Sequence, residues 1–219
     1  MPTKQLYQSK AGAAHGILRE QILDGTLAAG TILNQEQVAA DLGMSTTPIR
    51  EALRRLESEG LVLMPAHRDA TVAPLDLGEF LLLFDVRAEL DTMAAGYAAE
   101  RHTDTDRKAL QKAVGALERR PKNWIPTMRG FYSAVYHASH DTILIGHLER
   151  LWDQSRRYQH AMRDFSDTAL FPRTYRDIVD AILEHDGPAA EKAMQKHLAD
   201  AREAIKRTIA TFARGATAS

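Results

Sequence analysis

The sequence predicts a mainly α protein in two parts: an N-terminal winged helix-turn-helix and a C-terminal antiparallel bundle of about six helices. Three observations predict it. Asn34 to Val62 holds two short helical patterns that meet at Gly43. Two short apolar runs, Leu61–Pro65 and Ala70–Pro74, flank a polar tip. After Asp76 there is no strand signal, only long stretches of helical period.

Met1 to Ser9 is polar and is expected to fray. A first helix is predicted from about Lys10 to Leu23, with Ala14, Ile17, Leu18 and Ile22 on one side and Gly25 ending it. A loop through Gly30 leads into the second helix. There Asn34 is placed as N-cap, with Gln37 closing a capping box, and Val38, Ala39 and Leu42 share a side. Gly43 makes the turn. Ser45 is expected to cap the third helix, with Pro48 in its first turn, where a missing N–H costs little. Ile49, Ala52, Leu53 and Leu56 recur at i, i+3, i+4 and i+7 and form its buried stripe. Thr46, Thr47, Arg50 and Arg54 lie opposite. A helix pair of this kind presents the start of its second helix to the DNA major groove. The two apolar runs that follow read as a β-hairpin, the wing, with Arg68 at its tip.

Pro74 to Asp76 is the junction, giving domains 1–74 and 75–213 with a loose tail at 214–219. Helices are predicted at about Leu77–Arg101, Asp104–Arg119, Trp124–Ser139, Thr142–Arg163, Phe171–His185 and Ala189–Ala213. Thr103 with Asp106 resembles a capping box, Pro121 breaks the chain, Asp141 and Asp186 can cap, and Gly187-Pro188 stops one helix and starts the next. The run Phe80-Leu81-Leu82-Leu83-Phe84 is too wide for one helix face. Either the bundle buries it from several sides or its second side meets a partner chain.

Composition bounds the function classes. The formal net charge of the 219 residues is −1, and Met1 to Ala73 carries seven Lys/Arg against eight Asp/Glu, so bulk charge lends no support to DNA binding. That reading rests on the pattern. There is no cysteine, which excludes disulfides and thiolate metal sites. No apolar run approaches membrane length and no signal peptide opens the chain, so a cytoplasmic protein without a membrane partner is expected.

From Gly25 onward the segment GTLAAGTILNQEQVAADLGMSTTPIREALRRLESEGLV resembles the DNA-binding domain of the GntR transcription regulators. The match runs in order through Gly25-Leu27-Gly30-Leu33, Leu42-Gly43, Thr47-Pro48, Arg50-Glu51-Ala52-Leu53, Leu56-Glu57 and Glu59-Gly60-Leu61. The helical remainder resembles the ligand-sensing FCD-type domain of the FadR branch. The resemblance implies a homodimer on double-stranded operator DNA whose affinity a small metabolite controls.

The DNA-reading candidates are Ser45, Thr46, Thr47, Arg50, Arg54 and Arg68. Arg50 can donate a bidentate pair to guanine, and the resemblance supports a base or phosphate contact for it. The family commonly has Arg where Thr46 stands. Ser45 and Thr47 can donate to phosphate near the helix N-terminus. Arg54 and Arg55 can instead pair with Glu51 or Glu59 on a solvated face, the reading preferred for Arg55. The family usually has Gly at the position of Asp69, where a carboxylate repels phosphate.

Sensing domains of this branch commonly hold a metal on one Asp and three His, and the metal binds a carboxylate effector. Ala138-Ser139-His140-Asp141 stands where the family reads Ala-Ser-Gly-Asn, and this register puts Met128 at the Asp position and Tyr132 at the first His. Tyr175 falls at the second His and His197 at the third. A thioether, two phenols and one imidazole make a poor site for a divalent ion, so no metal and no cofactor is expected. Helical geometry points all four inward. They are either core residues that satisfy one another by hydrogen bonds, or the lining of a metal-free pocket for a polar effector group. Arg87, on an otherwise apolar helix face, adds to the pocket reading, and Asp91 four residues on can pair with it instead. His102, His137, His140, His147, His160 and His185 are read as solvated or helix-end residues, and Trp124 and Trp152 as core or pocket wall.

Two other readings compete. A bundle metalloenzyme of the di-iron kind needs Glu-x-x-His pairs, and none occurs. A DNA-binding architectural protein without an effector remains compatible with the N-terminal part.

Overall fold

The computed structural model describes residues 9–66, 68–119, 124–162 and 172–216. The chain falls into two compact units, Met1–Asp76 and Leu77–Ser219.

In the first unit, α1 (Lys10–Leu23) packs on α3 (Thr46–Ser58), and α2 (Gln35–Asp41) precedes α3 across a turn at Gly43. Gly43 has φ 61°, a left-handed conformation that a side chain disfavours. Asn34 caps α2 by accepting from the N–H groups of Glu36 and Gln37. The expected capping box does not close, because the Gln37 amide donates to Asp41 instead. Ser45 holds the N-cap position of α3 but makes no side-chain capping bond. The wing is an antiparallel pair, β2 (Val62–Leu63) with β3 (Ala70–Val72). A third strand, β1 (Ile32–Leu33), pairs with the other edge of β3, in a stretch where the sequence predicts a loop. Ala14, Leu18 and Ile22 of α1 meet Ile49, Leu53 and Leu56 of α3 in the core, with Leu33 and Val72 closing it.

The second unit consists of helices α4 (Leu77–Arg101), α5 (Asp104–Glu118), α6 (Trp124–Ala138), α7 (Thr142–Ala161), α8 (Pro172–Leu183) and α9 (Gly187–Ala216). The capping box of Thr103 and Asp106 opens α5, and Asp141 and Asp186 cap α7 and α9. The last helix differs from expectation at both ends. Gly187 and Pro188 lie inside its first turn, which tolerates a residue without an N–H. At the far end the helix continues through Gly215 to Ala216, so the first three residues of the expected loose tail are helical. Pro121, Arg163 and Phe171 lie outside the described residues.

α4 is the central helix and packs against α6, α7, α8 and α9. Its apolar run divides: Phe80 and Phe84 are buried and Leu82 is 69% exposed. The core of the unit gathers Phe131, Tyr132, Val135 and Tyr136 of α6, Leu148 and Trp152 of α7, Ile178, Val179 and Ile182 of α8, and Met194 of α9.

Candidate functional site

The first candidate surface is on α3. Burial of Ile49, Ala52, Leu53 and Leu56 turns the opposite face outward, and Ser45, Thr46, Thr47, Arg50 and Arg54 are all exposed. Among the described residues, Arg50, Arg54 and Arg68 take part in no ion pair. Arg50 is not wholly free, since its Nε donates to Gln35 Oε1 at 3.1 Å. That bond leaves the outer edge of the guanidinium fork available to an acceptor. Arg55 does not pair with Glu59. The Glu59 carboxylate is taken from the other side by His15 at 2.7 Å and Arg19 at 2.9 Å, which tie α1 to the end of α3.

At the wing, Arg68 is exposed as expected. Asp69 beside it accepts from Asn34 Nδ2 at 3.3 and 3.2 Å through its two oxygens. One asparagine thus caps α2 with its carbonyl and holds the wing residue with its amide.

The second candidate site lies in the core of the helical unit. Tyr132, Tyr175 and His197 come from α6, α8 and α9 and are all buried. The Tyr132 hydroxyl is 3.0 Å from His197 Nε2, and Thr174 Oγ1 is 2.8 Å from His197 Nδ1. Tyr175 lies over the imidazole, ring centroids 4.4 Å apart, and meets the edge of Phe131 at 4.7 Å. Met128 is partly buried and packs against the hydrophobic core of the unit. Burial, reinforced by the Arg87 charge, lowers the His197 pKa to about 3, so the imidazole is neutral. Burial likewise raises Tyr132 and Tyr175, which stay phenols.

Arg87 stands beside this cluster on α4 and is 3% exposed. Its Cζ lies 5.2 Å from the Phe84 ring, 5.3 Å from Tyr132 and 5.3 Å from Trp152. Nε donates to Asp91 Oδ2 at 3.1 Å, and the Tyr136 hydroxyl donates to Asp91 Oδ1 at 2.5 Å. Burial opposes the Arg87 charge, but Asp91 outweighs it and holds the pKa above its ordinary value. Burial also pushes the Asp91 carboxyl above its usual range, against the pull of Arg87 and the Tyr136 hydroxyl. Removing either member of such a pair strands the other in a low dielectric.

The donor set does not fit a metal. Both nitrogens of His197 are engaged by neighbouring hydroxyls, and phenols with raised pKa values resist becoming anionic ligands. Among the described residues, no three of His, Asp or Glu converge as a metal site. Several of the remaining histidines have other partners. His102 and His185 stack at 4.2 Å and each bonds a carbonyl of α4. His102 is thus a buried residue, not a solvated one. His137 is exposed and bonds Ser133 O within its own helix. His140 pairs with Asp106 at 2.8 Å. Its φ is 52°, a left-handed conformation at the position where the resemblance expects glycine, which supports the register used to locate Tyr132.

Sequence reasoning missed Gln35, Thr174 and the Asn34–Asp69 link. Thr174 had a usable signal, since it adjoins Tyr175 in the first turns of α8. Gln35 and Asn34 had none, because their partners lie far along the chain.

Comparison with known proteins follows the same division. Residues 10–71 match the family "Bacterial regulatory proteins, gntR family", and residues 82–200 match the FCD domain. The HTH-type transcriptional regulator McbR of Escherichia coli (strain K12) is 33% identical over 140 residues, a match spanning 62% of this chain and 63% of that protein. The HTH-type transcriptional repressor RspR of the same organism is 24% identical over 196 residues, 87% of this chain and 86% of that protein. Among solved structures, E. coli McbR/YncC superposes with a TM-score of 0.72 at 26% identity, covering 94% of this chain and 98% of that one. A GntR family member from Pseudomonas syringae pv. tomato str. DC3000 gives 0.58 at 23% identity over 94% and 88%, a likeness of fold.

Proposed function

We propose a mode of action for this chain from one premise: it belongs to the gntR family of bacterial regulatory proteins and carries an FCD domain. It is a transcription regulator that responds to an effector. The finer reading is ours. The chain acts in the cytoplasm as a homodimer on operator DNA, with the α3 face of each protomer in a major groove and the wing on the backbone. The observation that carries it is the α3 face itself, where Thr46, Thr47, Arg50 and Arg54 stand together, exposed and free of ion pairs, over a fully buried apolar stripe. Thr46 replaces the arginine common in the family, so the operator differs at the base pair that residue would read.

The effector is read as a small oxyanion, such as a carboxylate, held without metal by Arg87. Met128, Tyr132, Tyr175 and His197 line the same site. Asp91 takes Nε of Arg87 and the Tyr132 side chain also bonds this guanidinium, so an incoming oxyanion shares Arg87 with Tyr132. His197 and the two phenols are neutral and supply hydrogen bonds without adding charge. Operator affinity changes only as far as the effector binds the DNA-competent and incompetent states unequally.

Support for the dimer comes from α4. Leu82, Val86 and Met93, at i, i+4 and i+11, are 69%, 56% and 43% exposed and form one apolar stripe. The test of the whole reading is selection of duplexes from a random pool by the purified chain. A two-fold symmetric consensus that Arg50→Ala no longer recovers supports it. A consensus recovered equally by Arg50→Ala refutes it.

A further inference from the structure

Asn34, Gln35 and Gln37 stand together at the start of α2, and each side-chain amide goes to a different element. Asn34 Nδ2 donates to Asp69 on the wing. Gln37 Nε2 donates to Asp41 in α2 itself. Gln35 presents its carbonyl to α3, where Oε1 accepts from Arg50 Nε at 3.1 Å. Gln35 is placed to hold its partner still. It is the first residue of α2, next to Asn34, whose side-chain carbonyl is fixed by the N–H groups of Glu36 and Gln37. It is half-buried, whereas Arg50 is exposed. Arg54, one turn further along α3, is also exposed and has no such tether among the described residues.

We infer that Gln35 is a positioning residue for DNA reading: it holds the Arg50 guanidinium in the orientation that reads one base pair, and so sets specificity without touching DNA. The inference rests on the proposed docking of α3 in the major groove. An arginine side chain has several rotatable bonds, and freezing a free one against a base weakens binding by roughly twofold to tenfold. A bond at Nε restrains the guanidinium plane before DNA arrives. The Nη groups remain to donate as a fork to guanine O6 and N7. Gln35 suits this task because it is neutral. It accepts from Nε without discharging Arg50, so the attraction of the arginine to DNA is kept. A carboxylate in its place would orient the same guanidinium and cancel its charge. An untethered arginine such as Arg54 suits a phosphate, a contact that carries no sequence.

The test uses two duplexes: the one that the wild-type chain selects, and a copy changed at the base pair whose preference Arg50→Ala relaxes. Fluorescence anisotropy of the full chain on both gives the preference, the ratio of the two dissociation constants. Gln35→Ala is expected to lower the preference roughly threefold to tenfold, by weakening binding to the selected duplex. Gln35→Glu is expected to keep the preference while weakening both duplexes, with a salt slope smaller by about one unit for each chain bound. A role limited to starting α2 would not split the two variants in this way, since alanine and glutamate are both well tolerated in the first turn of a helix. Gln35→Ala added to Arg50→Ala is expected to change neither dissociation constant. An unchanged preference in Gln35→Ala, where Arg50→Ala loses it, overturns the inference and leaves the α3 reading standing. So does loss of the preference in Gln35→Glu. Further weakening of the Arg50→Ala protein by Gln35→Ala also overturns it, because Gln35 then touches DNA itself. A consensus that Arg50→Ala leaves intact at every position overturns the α3 reading and this inference with it.

Discussion

The phenol of Tyr132 and the imidazole of His197, from α6 and α9, are hydrogen-bonded at 3.0 Å in the core of the helical unit. They occupy two positions at which the family resemblance expects metal-ligating histidines. The bond fixes an imidazole that cannot charge: its pKa is held near 3 by burial and then by Arg87. On the proposed reading the pair makes the effector site neutral and polar, with Arg87 as its positive charge.

This geometry has a consequence for acid stability. A histidine with a lowered folded pKa binds its proton in the unfolded chain first. The stability of the helical unit should therefore be full above about pH 6.5 and fall as the pH drops from there toward 3. At pH 5 the loss from this one residue is on the order of 2 kcal/mol. In His197→Gln that part of the pH dependence should vanish between pH 7 and 5, whatever its stability at pH 7. Urea unfolding of both proteins at the two pH values measures it, and an unchanged pH slope in the variant counts against a neutral buried His197.

Metal removal should do nothing. Thermal unfolding of the purified protein is expected to have the same midpoint before and after dialysis against a chelator, and with added zinc or nickel, because among the described residues no charged ligand set gathers around His197. A rise of several degrees with stoichiometric metal would show that the engaged nitrogens of His197 exchange their hydroxyl partners for an ion. Tyr132→His together with Met128→Asp is the converse experiment. It should create metal-dependent stability where the wild type has none.

Much of the fold and part of the site were legible, for identifiable reasons. α4 was located to the residue because a polar junction precedes it and Arg101-His102-Thr103 ends it before a capping box. Tyr132, Tyr175 and His197 were placed together by the family resemblance, whose ligand positions they occupy, while helical period showed only that each points inward. What stayed hidden had no period. β1 is two residues long, too short for alternation to show, and exists because β3 offers it an edge. The last three residues of α9 were hidden because Gly215 mimics a stop while the helix runs through it. The pairing of Glu59 with His15 and Arg19 was hidden because a local i+4 partner, Arg55, offered a simpler answer. Gln35 escaped because its bond to Arg50 crosses from α2 to α3.

The wing carries an anion where the proposed docking brings phosphate. Asp69 is held by Asn34 beside exposed Arg68. Asp69→Asn keeps the turn and removes the charge. It should tighten binding to any duplex by several-fold at low salt and make the salt dependence steeper, while Arg68→Ala should weaken binding and flatten it, by roughly one unit of slope. Neither should change the selected consensus, since contacts to the backbone carry no sequence. Titration of one duplex at several salt concentrations reads both. A changed consensus in either variant would place the wing on bases instead of phosphates.

The exposed stripe of α4 predicts where the dimer comes apart. Leu82 and Val86 lie one turn apart on that stripe, 69% and 56% exposed in the single chain. Each is far enough from the core that a charge should leave the protomer folded. Buried against a second copy, the same charge on both sides of a two-fold axis meets itself and an apolar surface. Leu82→Glu/Val86→Glu is therefore expected to shift sedimentation from dimer to monomer at micromolar concentration, with an unchanged far-ultraviolet helix signal. Operator affinity should fall by far more than tenfold, because two half-sites are then bound by separate molecules without the benefit of linkage. A variant that still sediments as a dimer would move the interface off α4. A wild type that sediments as a monomer would remove the two-fold symmetry from the proposed operator as well.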